Sequence, residues 1–405
     1  MKKIMILGAS ILQIPAIKKA KEMGLYVISV DMNPNAEGFK YADKKIVIST
    51  TETKLVLREA KINKIDGIMT IASDKPMTTV AKVCEELDLD GIDLKTAIKA
   101  TNKSSMRKAL SKHNVPIPMF FSVDNYEDYL EAIKKIKVKG YKCIIKPADN
   151  SGSRGIKLIE DFDRNNLKMS FNYCRDNSNS GLIMVEEYME GPEVSVESIS
   201  YKGKCTIIQI TDKITTGTPY FVEMGHTQPS SLDKNIIDKI CEITTEATKA
   251  IGINNGPSHT EIKVTKDGPK IVEIGARLGG DNITTHLVPY STGVDMVELC
   301  IKLALAEPIE IKKKVNLYSA IRYKRCDLGT ISNITGLQEA KEVPFIKDIE
   351  ITHKIGEESR EIRSSNDRVC FAISQAPSLD EAIISCETAL NKINIAVENK
   401  KNHDI

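Results

Sequence analysis

The first part of the chain alternates short apolar runs with segments of helical periodicity. Apolar residues fill the runs at Lys3–Leu7 and Leu25–Val30, which are typical of strands buried in a parallel sheet. A helix is expected between them, because Gly24 follows a periodic segment and can end it. The pattern therefore predicts an α/β domain over residues 1–95. Its other predicted strands are Lys45–Ile48 and Gly67–Ile71, and its predicted helices are Ile11–Met23, Thr53–Ile62 and Met77–Leu87.

The turn after the first strand carries only part of a dinucleotide fingerprint. Gly8 ends the strand, and Asp31 closes the second strand, as in sheets that bind nucleotides. Ala9, Ser10 and Ile11 follow Gly8, so the second and third glycines of G-x-G-x-x-G are missing. A structural first turn is therefore favoured, and an NAD-dependent dehydrogenase is the weakest interpretation.

The chain after residue 95 mixes helices with strands joined by short loops. The pattern predicts one helix over Lys99–His113, which contains Lys103. Prolines at 116 and 118 break that helix. A strand at Phe120–Val123 and a helix at Tyr126–Ile136 follow, which is an α+β pattern. Near the end of the chain the predicted elements are strands at Asn316–Arg322 and Arg368–Ser374 and a helix at Ser378–Asn391.

A loop of small residues follows the predicted strand Tyr141–Pro147. Glycine and serine let backbone N–H groups crowd around an anion, and Lys146 and Arg154 add positive charge. The loop is not a Walker A loop, because no G-K-[ST] follows and no helix begins there. It is a candidate phosphate loop, with a plain hairpin as the alternative. Its residues are Ser151, Gly152, Ser153, Arg154 and Gly155.

Acidic residues lie on both sides of the next turn. An apolar strand ends in Glu186 and Glu187, and Glu193 follows the turn at Gly191 and Pro192. Carboxylates at both ends of such a link can accept hydrogen bonds from an adenine amino group and from ribose hydroxyls.

The stretch HTEIKVTKDGPKIVEIGARLGGD, residues 259–281, predicts two strands joined by a turn. If Lys266–Gly268 form a three-residue loop, Thr265 pairs with Pro269. In that register Glu261 lies opposite Glu273.

Two carboxylates that face each other across a sheet destabilise it unless a positive charge lies between them. Mg²⁺ is commonly held by one or two carboxylates together with substrate phosphates. Arg277 and the pair Gly279-Gly280 follow, and they can place a guanidinium and open backbone beside the same ion. The alternative is a solvated hairpin whose two glutamates never meet.

Composition limits the classes of partner. The 405 residues include 57 Lys and Arg against 55 Asp and Glu, so the net charge of +2 indicates neither nucleic acid nor an anionic membrane as a partner. Nine cysteines are scattered without a C-x-x-C pair, which fits a reducing cytoplasm. The start imitates a secretory signal, but its apolar run breaks at Gly8 and no cleavage-like site follows. We therefore expect a cytoplasmic protein.

The order of these motifs resembles the ATP-grasp superfamily over nearly the whole chain. The motifs are lysine–proline before a Gly/Ser loop, Glu-Glu-Tyr-Met-Glu-Gly-Pro-Glu, and a Glu-bearing strand followed by Val-Glu-Ile-Gly-Ala-Arg-Leu-Gly-Gly. Within that superfamily, residues 210–229 resemble the bacterial L-amino-acid ligases, which join two amino acids into a dipeptide. The resemblance implies a Rossmann-like pre-grasp domain at 1–95, an ATP-grasp domain at 96–307 whose two subdomains clamp ATP, and a C-terminal lobe at 308–405.

The resemblance also implies which residues bind ATP. Lys103 and Lys146 match the two lysines that hold its phosphates, and residues 151–155 match the loop that closes over the γ-phosphate. Glu186 matches the acid that faces the adenine amino group, and Glu193 matches the acid that binds ribose. The implied adenine and ribose contacts are Glu186, Glu187, Met189 and Glu193.

Catalytic roles follow from the same resemblance. Glu261 and Glu273 match the acids that bind Mg²⁺, for which Mn²⁺ can substitute, and Arg277 matches the arginine that steadies an acyl phosphate. The usual motif has Asn where this chain has Gly275, which removes one expected metal ligand. Positions that contact substrate or phosphate in amino-acid ligases match Lys213, Glu223 and His226, each of which has a structural role as the alternative.

The implied function is an ATP-dependent carboxylate–amine ligase that forms an amide or peptide bond through an acyl phosphate. One alternative is an ATP-grasp carboxylase or formyl-transfer ligase of the purine type. Another is a catalytically silent nucleotide-binding module, which only Gly275 supports. The sequence does not name the carboxylate or the amine. A homodimer is the default expectation, because dimers are the commonest oligomers.

Overall fold

The computed structural model describes residues 1–150 and 154–398. In chain order, its strands are β1 Lys3–Leu7, β2 Tyr26–Asp31, β3 Lys44–Val47, β4 Gly67–Met69, β5 Phe120–Val123, β6 Cys143–Pro147, β7 Lys157–Ile159, β8 Ile183–Glu187, β9 Glu193–Tyr201, β10 Lys204–Thr215, β11 Glu223–Gln228, β12 Gly256–Thr265, β13 Gly268–Gly275, β14 Tyr318–Tyr323, β15 Gly329–Thr335, β16 Ile346–Ile351, β17 Glu358–Ser359, β18 Cys370–Ala376 and β19 Asn394–Glu398. Its helices are α1 Ile14–Glu22, α2 Thr53–Asn63, α3 Met77–Leu87, α4 Leu94–Thr101, α5 Lys103–Lys112, α6 Tyr126–Val138, α7 Arg164–Asp176, α8 Lys234–Ile251, α9 Val288–Thr292, α10 Met296–Ala304, α11 Leu337–Lys341 and α12 Leu379–Lys392. Over the described ranges, no helix is both long enough and apolar enough to cross a bilayer.

The chain divides into two compact units. The first comprises residues 1–210, 232–289 and 294–312. The second comprises residues 211–231, 290–293 and the chain from Lys313 onward. The boundary between residues 1–210 of the first unit and residues 211–231 of the second unit lies inside β10, after Ile210. The division at residues 95 and 307 stays a prediction.

The first unit begins with a parallel sheet in the order β3-β2-β1-β4. The predicted bounds of β1 and α3 agree with the structure. Helix α1 begins at Ile14 rather than at the predicted Ile11, because residues 11–13 form a turn in which the Gln13 N–H donates to the Ser10 carbonyl at 3.0 Å. The Gln13 amide oxygen accepts a hydrogen bond from the Ser10 hydroxyl at 2.6 Å, and Asp31 accepts one from the backbone N–H of Ala9 at 2.8 Å. Side chains of the protein therefore accept hydrogen bonds from the Ala9 N–H and the Ser10 hydroxyl in this turn.

The predicted helix Lys99–His113 is wrong, because the chain breaks it at Asn102. Asn102 has extended dihedrals, φ −117° and ψ 113°, and its side chain accepts a hydrogen bond from the Ser105 N–H at 2.9 Å. It is therefore the N-cap of α5, a position that Asn favours. Lys103 becomes the first residue of α5, and its backbone N–H donates to the Ala148 carbonyl at 2.8 Å. The break moves Lys103 from a helix interior to a helix end.

Two antiparallel sheets complete the first unit. One has the order β5-β8-β6-β7 and packs against α6 and α7. The other has the order β13-β12-β9 and continues into the first part of β10. Helix α8, for which the sequence analysis made no prediction, buries its apolar face against the isoleucines of β12 and β13. One face of the β12–β13 hairpin is therefore fixed in the core.

The second unit is built on the last part of β10, which pairs with β11 and is followed by β14, β18 and β16. A smaller sheet has the order β17-β15-β19. The predicted strands near 316–322 and 368–374 are confirmed as β14 and β18. The predicted helix is confirmed as α12, and Ser378 is its N-cap.

Candidate active site

The hairpin β12–β13 brings its two glutamates face to face. Glu261 is the pairing partner of Glu273, as predicted, although the predicted loop is wrong. Thr265 pairs with Gly268, so the loop contains only Lys266 and Asp267. The register shifts by one residue between Glu261 and Ile262, so that a bulge at Val272 restores the predicted pairing. The bulge keeps both acids on one face.

Neighbouring cations offset the charge of these acids. The Lys103 Nζ atom lies 2.9 Å from the Glu273 Oε1 atom and also donates to the Asn150 carbonyl at 2.9 Å. Burial alone would lower the pKa of Lys103, but Glu273, together with Asp74 and Glu186, raises it. The start of α5 thus delivers a charged ammonium group to the acidic face of the hairpin.

A second cluster contains Lys146 on β6 and Glu186 on β8. The Lys146 Nζ atom lies 2.7 Å from Glu186 Oε2, and Arg107 donates to both Glu186 oxygens at 2.8 and 3.1 Å. Burial would raise the pKa of Glu186, but the two cations lower it to about 2. Burial lowers the pKa of Lys146, with Arg107 and Lys103 acting in the same direction. Both oxygens of Glu186 are engaged by the protein, and its adenine role stays a prediction.

Arg107 connects this cluster to the hairpin, and sequence analysis missed it. Its Nη2 atom also donates to the carbonyl of Val272, the bulged residue, at 2.8 Å. The side chain is almost completely buried. Arg107 follows Lys103 by four residues on α5, so both side chains lie on one helix face. The four-residue spacing from Lys103 is the feature of the sequence from which Arg107 could have been predicted as a site residue.

The predicted adenine and ribose residues surround the turn between β8 and β9. Glu187 accepts hydrogen bonds from the Met119 N–H at 3.0 Å and from Lys270 at 2.8 Å, and Glu193 pairs with Lys263 at 3.2 Å. Met189 is buried. The turn requires glycine, because a Cβ atom at Gly191, whose φ is +135°, would lie 2.0 Å from the Val264 carbonyl oxygen. The turn therefore packs directly onto β12.

The predicted phosphate loop is only partly within the described residues. Ser151, Gly152 and Ser153 lie outside them. Gly155 has φ +78°, and a Cβ atom there would lie 2.6 Å from the Asn177 Cβ atom and 2.7 Å from the Pro147 ring. Arg154 precedes it, and the phosphate roles of Arg154 and Gly155 stay predictions.

A buried Glu197–His259 pair supports the hairpin, and neither residue had a predicted role. The His259 Nδ1 atom lies 2.6 Å from Glu197 Oε1, and its Nε2 atom lies 3.7 Å from Glu261 Oε1. Burial would lower the pKa of His259, but the two carboxylates raise it to about 9. Gly279 leaves room for the pair, because a Cβ atom there would lie 2.7 Å from His259 Nδ1.

Arg277 is held by Asp74, which lies in the loop between β4 and α3. Its Nε and Nη2 atoms each donate to Asp74 at 2.9 Å. Burial would lower the pKa of Arg277, but Asp74 raises it well above its usual range. Burial would raise the pKa of Asp74, and Arg277 lowers it. Asp74 was also missed, because 203 residues separate the two in sequence.

Lys213, Glu223 and His226 come together within the second unit. Lys213 on β10 pairs with His226 on β11, and its Nζ atom lies 3.6 Å from Glu223 Oε1. Two arginines hold the backbone of β11: Arg322 donates to the His226 carbonyl at 3.0 Å, and Arg368 donates to the Glu223 carbonyl at 2.9 Å. The three predicted substrate contacts therefore form one cluster.

The donor set of the hairpin fits a hard divalent cation. Glu261 and Glu273 offer carboxylate oxygens on one face and are about one quarter exposed, with side-chain exposures of 25% and 29%. Groups of three or more His, Cys, Asp or Glu side chains that could hold a metal are not found over residues 1–150 and 154–398. An ion at this face would need further oxygen ligands, which waters and substrate phosphates commonly supply at magnesium sites.

Comparison with known proteins gives two matches to family domains. Residues 139–285 match the ATP-grasp domain, and residues 326–398 match the L-amino acid ligase C-terminal domain 2. The first match contains Lys146, Glu186, Glu261, Glu273 and Arg277.

Individual relatives agree with these matches. The chain is 26% identical over 330 residues to an L-arginine-specific L-amino acid ligase of Bacillus subtilis, with 78% of the chain and 76% of the relative covered. It is 30% identical over 273 residues to an alanine–anticapsin ligase of Bacillus subtilis strain 168, covering 61% of the chain and 56% of that relative's length. Its fold is similar to that of an L-amino acid ligase from Bacillus licheniformis, with a TM-score of 0.83, 22% identity, and 98% and 99% of the two chains covered. The predicted fold is confirmed.

Proposed function

We propose that this chain, whose residues 139–285 match the ATP-grasp domain, is an ATP-dependent carboxylate–amine ligase that joins two amino acids into a dipeptide while ATP is converted to ADP and phosphate. The observation that carries the amino-acid part is the match of residues 326–398 to the L-amino acid ligase C-terminal domain 2. A purine-type carboxylase or formyl-transfer ligase is the alternative within the superfamily. We place the reaction in the reducing cytoplasm, because all nine cysteines are free thiols.

The acidic hairpin and its cations form the phosphate end of the proposed site. Glu261 and Glu273 would hold Mg²⁺ or Mn²⁺, which when bound would neutralise phosphate charge during transfer. Lys103, already in contact with Glu273 at 2.9 Å, would lie beside the same phosphates. Lys146 is held by Glu186 at 2.7 Å, so that its ammonium group is oriented before ATP arrives.

The proposed chemistry needs no nucleophile from the protein. The carboxylate of the first amino acid attacks the γ-phosphorus of ATP, which forms an acyl phosphate and releases ADP. The amine of the second amino acid then attacks the acyl carbon, the C–O bond to phosphate breaks, and phosphate leaves. Arg277 would bind the acyl phosphate, because a guanidinium pairs with phosphate oxygens in a planar geometry. The surroundings must exclude water, which would otherwise hydrolyse this intermediate.

The second unit offers groups for the amino-acid substrates. Lys213 and Glu223 carry opposite charges 3.6 Å apart, and a zwitterionic amino acid presents the complementary pair of charges. His226 is the strand partner of Lys213 and is also buried. We propose that these three residues contact the amino acid or the phosphate. A homodimer is the proposed oligomer by base rate alone.

Phosphate release from MgATP tests the proposal. The protein is supplied with free amino acids singly and in pairs, and bicarbonate and formate are the controls. We expect release to require a pair, with a product whose mass is the sum of the two amino acids less one water. Release that depends on bicarbonate or formate would favour the purine-type alternative. Tight MgATP binding without release under any condition would favour a silent nucleotide-binding module.

A further inference from the structure

The loop that carries Asp74 is anchored to the segment that carries Arg277. It follows β4 and precedes α3, and the Ala72 N–H donates to the Leu278 carbonyl at 3.2 Å. The Gln13 side-chain amide holds the same loop through the Ile71 carbonyl at 2.8 Å. These contacts place the Asp74 carboxylate against the Nε–Nη2 edge of Arg277, with both distances 2.9 Å. The Asp74–Arg277 ion pair is therefore positioned by hydrogen bonds to the backbone of the loop as well as by charge.

Gly275 makes this arrangement sterically feasible. A Cβ atom at position 275 would lie 2.7 Å from Asp74 Oδ1 and 3.4 Å from Arg277 Nε. Real Cβ atoms do not approach oxygen that closely, so any side chain at 275 would displace the carboxylate. Gly275 is not among the residues with positive φ, so its backbone does not itself demand glycine. The space that a side chain at 275 would need is occupied by Asp74.

We propose that Asp74 is the positioning residue for Arg277, and that it occupies the place of the side chain that position 275 lacks. This inference rests on the proposed function, in which Arg277 binds the acyl phosphate. A guanidinium has five N–H groups. Among the described residues, Asp74 takes two of them and the Leu278 carbonyl takes a third at 3.2 Å. Two N–H groups remain for an oxyanion, in an orientation that Asp74 fixes.

An ion pair that only joins two parts of the fold would give the same geometry, so the test must separate positioning from stability. A positioning role acts on the transition state, in which the charge on the transferring phosphate is largest. It should therefore lower kcat and leave the KM for ATP nearly unchanged. A purely structural role should lower the urea midpoint and leave kcat per folded molecule unchanged.

The experiment is a double-mutant cycle on the full chain with Asp74→Ala, Gly275→Ala and the double variant. We expect Asp74→Ala to lower kcat about 30-fold and to change the KM for ATP less than about twofold, because a misdirected guanidinium loses its alignment with the reacting atoms. Gly275→Ala should lower kcat about 10-fold by displacing Asp74. In the Asp74→Ala background the same glycine substitution should have no further effect. Asp74→Asn, which keeps one acceptor, should recover part of the loss.

Asp43→Asn is the matched control, since Asp43, just before β3, pairs with Lys21 of α1 at 2.6 Å and has no role in the proposed site. Its kcat should equal that of the unsubstituted protein. Equal effects of Gly275→Ala in both backgrounds would overturn the inference, and so would a kcat of Asp74→Ala within twofold of the unsubstituted protein. The same cycle in urea midpoints needs no substrate. It therefore tests whether a side chain at position 275 and the Asp74 carboxylate compete for the same space, even if the unsubstituted chain is inactive on every amino-acid pair. Such inactivity would count against the proposed function alone.

Discussion

Glu261 lies directly opposite Glu273 across the β12–β13 hairpin. A sheet gains nothing from like charges at this position, because they destabilise the pairing. The surrounding residues offset the cost: Lys103 contacts Glu273 at 2.9 Å, and the His259 ring lies 3.7 Å from Glu261. The hairpin thus keeps two acids on one partly exposed face, which is the arrangement that a metal-bound nucleotide would use.

Neutralising one of these acids should stop turnover without unfolding the protein. Glu273→Gln keeps the shape of the side chain and removes its charge. We expect turnover to fall about 1,000-fold or more, because a metal ion contributes several kcal/mol of charge stabilisation. Turnover and circular dichroism are measured together. Glu190→Gln is the control, since Glu190 is exposed and pairs with Lys142 at 2.7 Å. Full activity of Glu273→Gln would contradict the metal assignment.

Removing Arg107 should destabilise the first unit. Arg107→Ala leaves Glu186 buried with one of its two cations lost, and breaking a buried pair costs about 3–5 kcal/mol. Arg107→Lys should lose less, because it keeps the charge but not the two parallel hydrogen bonds. The free energy of unfolding in urea measures both losses. Arg175→Ala is the control, since Arg175 pairs with Asp176 at the surface. Equal stability of Arg107→Ala and Arg175→Ala would show that Glu186 does not depend on Arg107.

The low pKa of Glu186 should make the free energy of unfolding depend on pH in the acidic range. Its pKa is about 2 in the folded chain and about 4.3 when unfolded, so its stabilising effect is present above pH 4.3 and is lost as pH falls toward 2. The difference corresponds to about 3 kcal/mol. Glu186→Gln should therefore have a shallower fall of unfolding free energy between about pH 5 and 3. Identical slopes for the two proteins would mean that the carboxyl group titrates normally in the folded chain.

Replacing Lys213 should raise the KM for the amino acid and leave the KM for ATP unchanged. We expect Lys213→Ala to raise the KM for an amino acid about 10-fold or more, because a hydrogen bond to a charged group is lost, and to leave the KM for ATP unchanged. Steady-state kinetics with each substrate varied in turn gives both values. Lys204→Ala provides the comparison, since Lys204 is exposed at the start of the same strand. A rise confined to the KM for ATP would remove Lys213 from the amino-acid site.

The strands and helices with a regular apolar pattern were predictable from the sequence. The positions of helix breaks, loops and bulges were harder to predict. β1 and α3 have the predicted bounds, because buried runs and helical periods are properties of the sequence alone. The break at Asn102 was missed, because a polar residue inside a helical pattern can either continue the helix or cap a new one. Only the structure shows that the Asn102 side chain accepts a hydrogen bond from the Ser105 N–H and caps α5. The Glu261–Glu273 pairing was predicted with a wrong loop, and the bulge at Val272 compensated for the error.

The partners of the site residues could not be predicted from the sequence. Asp74 reaches Arg277 over 203 residues, and Arg107 reaches Glu186 over 79 residues. Such contacts depend on how the sheets and helices pack, which local patterns do not encode. The hairpin acids were found because both lie on one local element, where strand periodicity relates them directly.

The most direct test of the proposed acyl phosphate follows oxygen from the carboxylate to phosphate. The amino acid that provides the carboxyl group is labelled with ¹⁸O in both carboxylate oxygens and is incubated with its partner amino acid, MgATP and the protein. Attack on the γ-phosphorus predicts one ¹⁸O in each released phosphate and one in the new peptide carbonyl. Phosphate without ¹⁸O would contradict the proposed acyl phosphate, because the carboxylate would then not have been activated by phosphorylation.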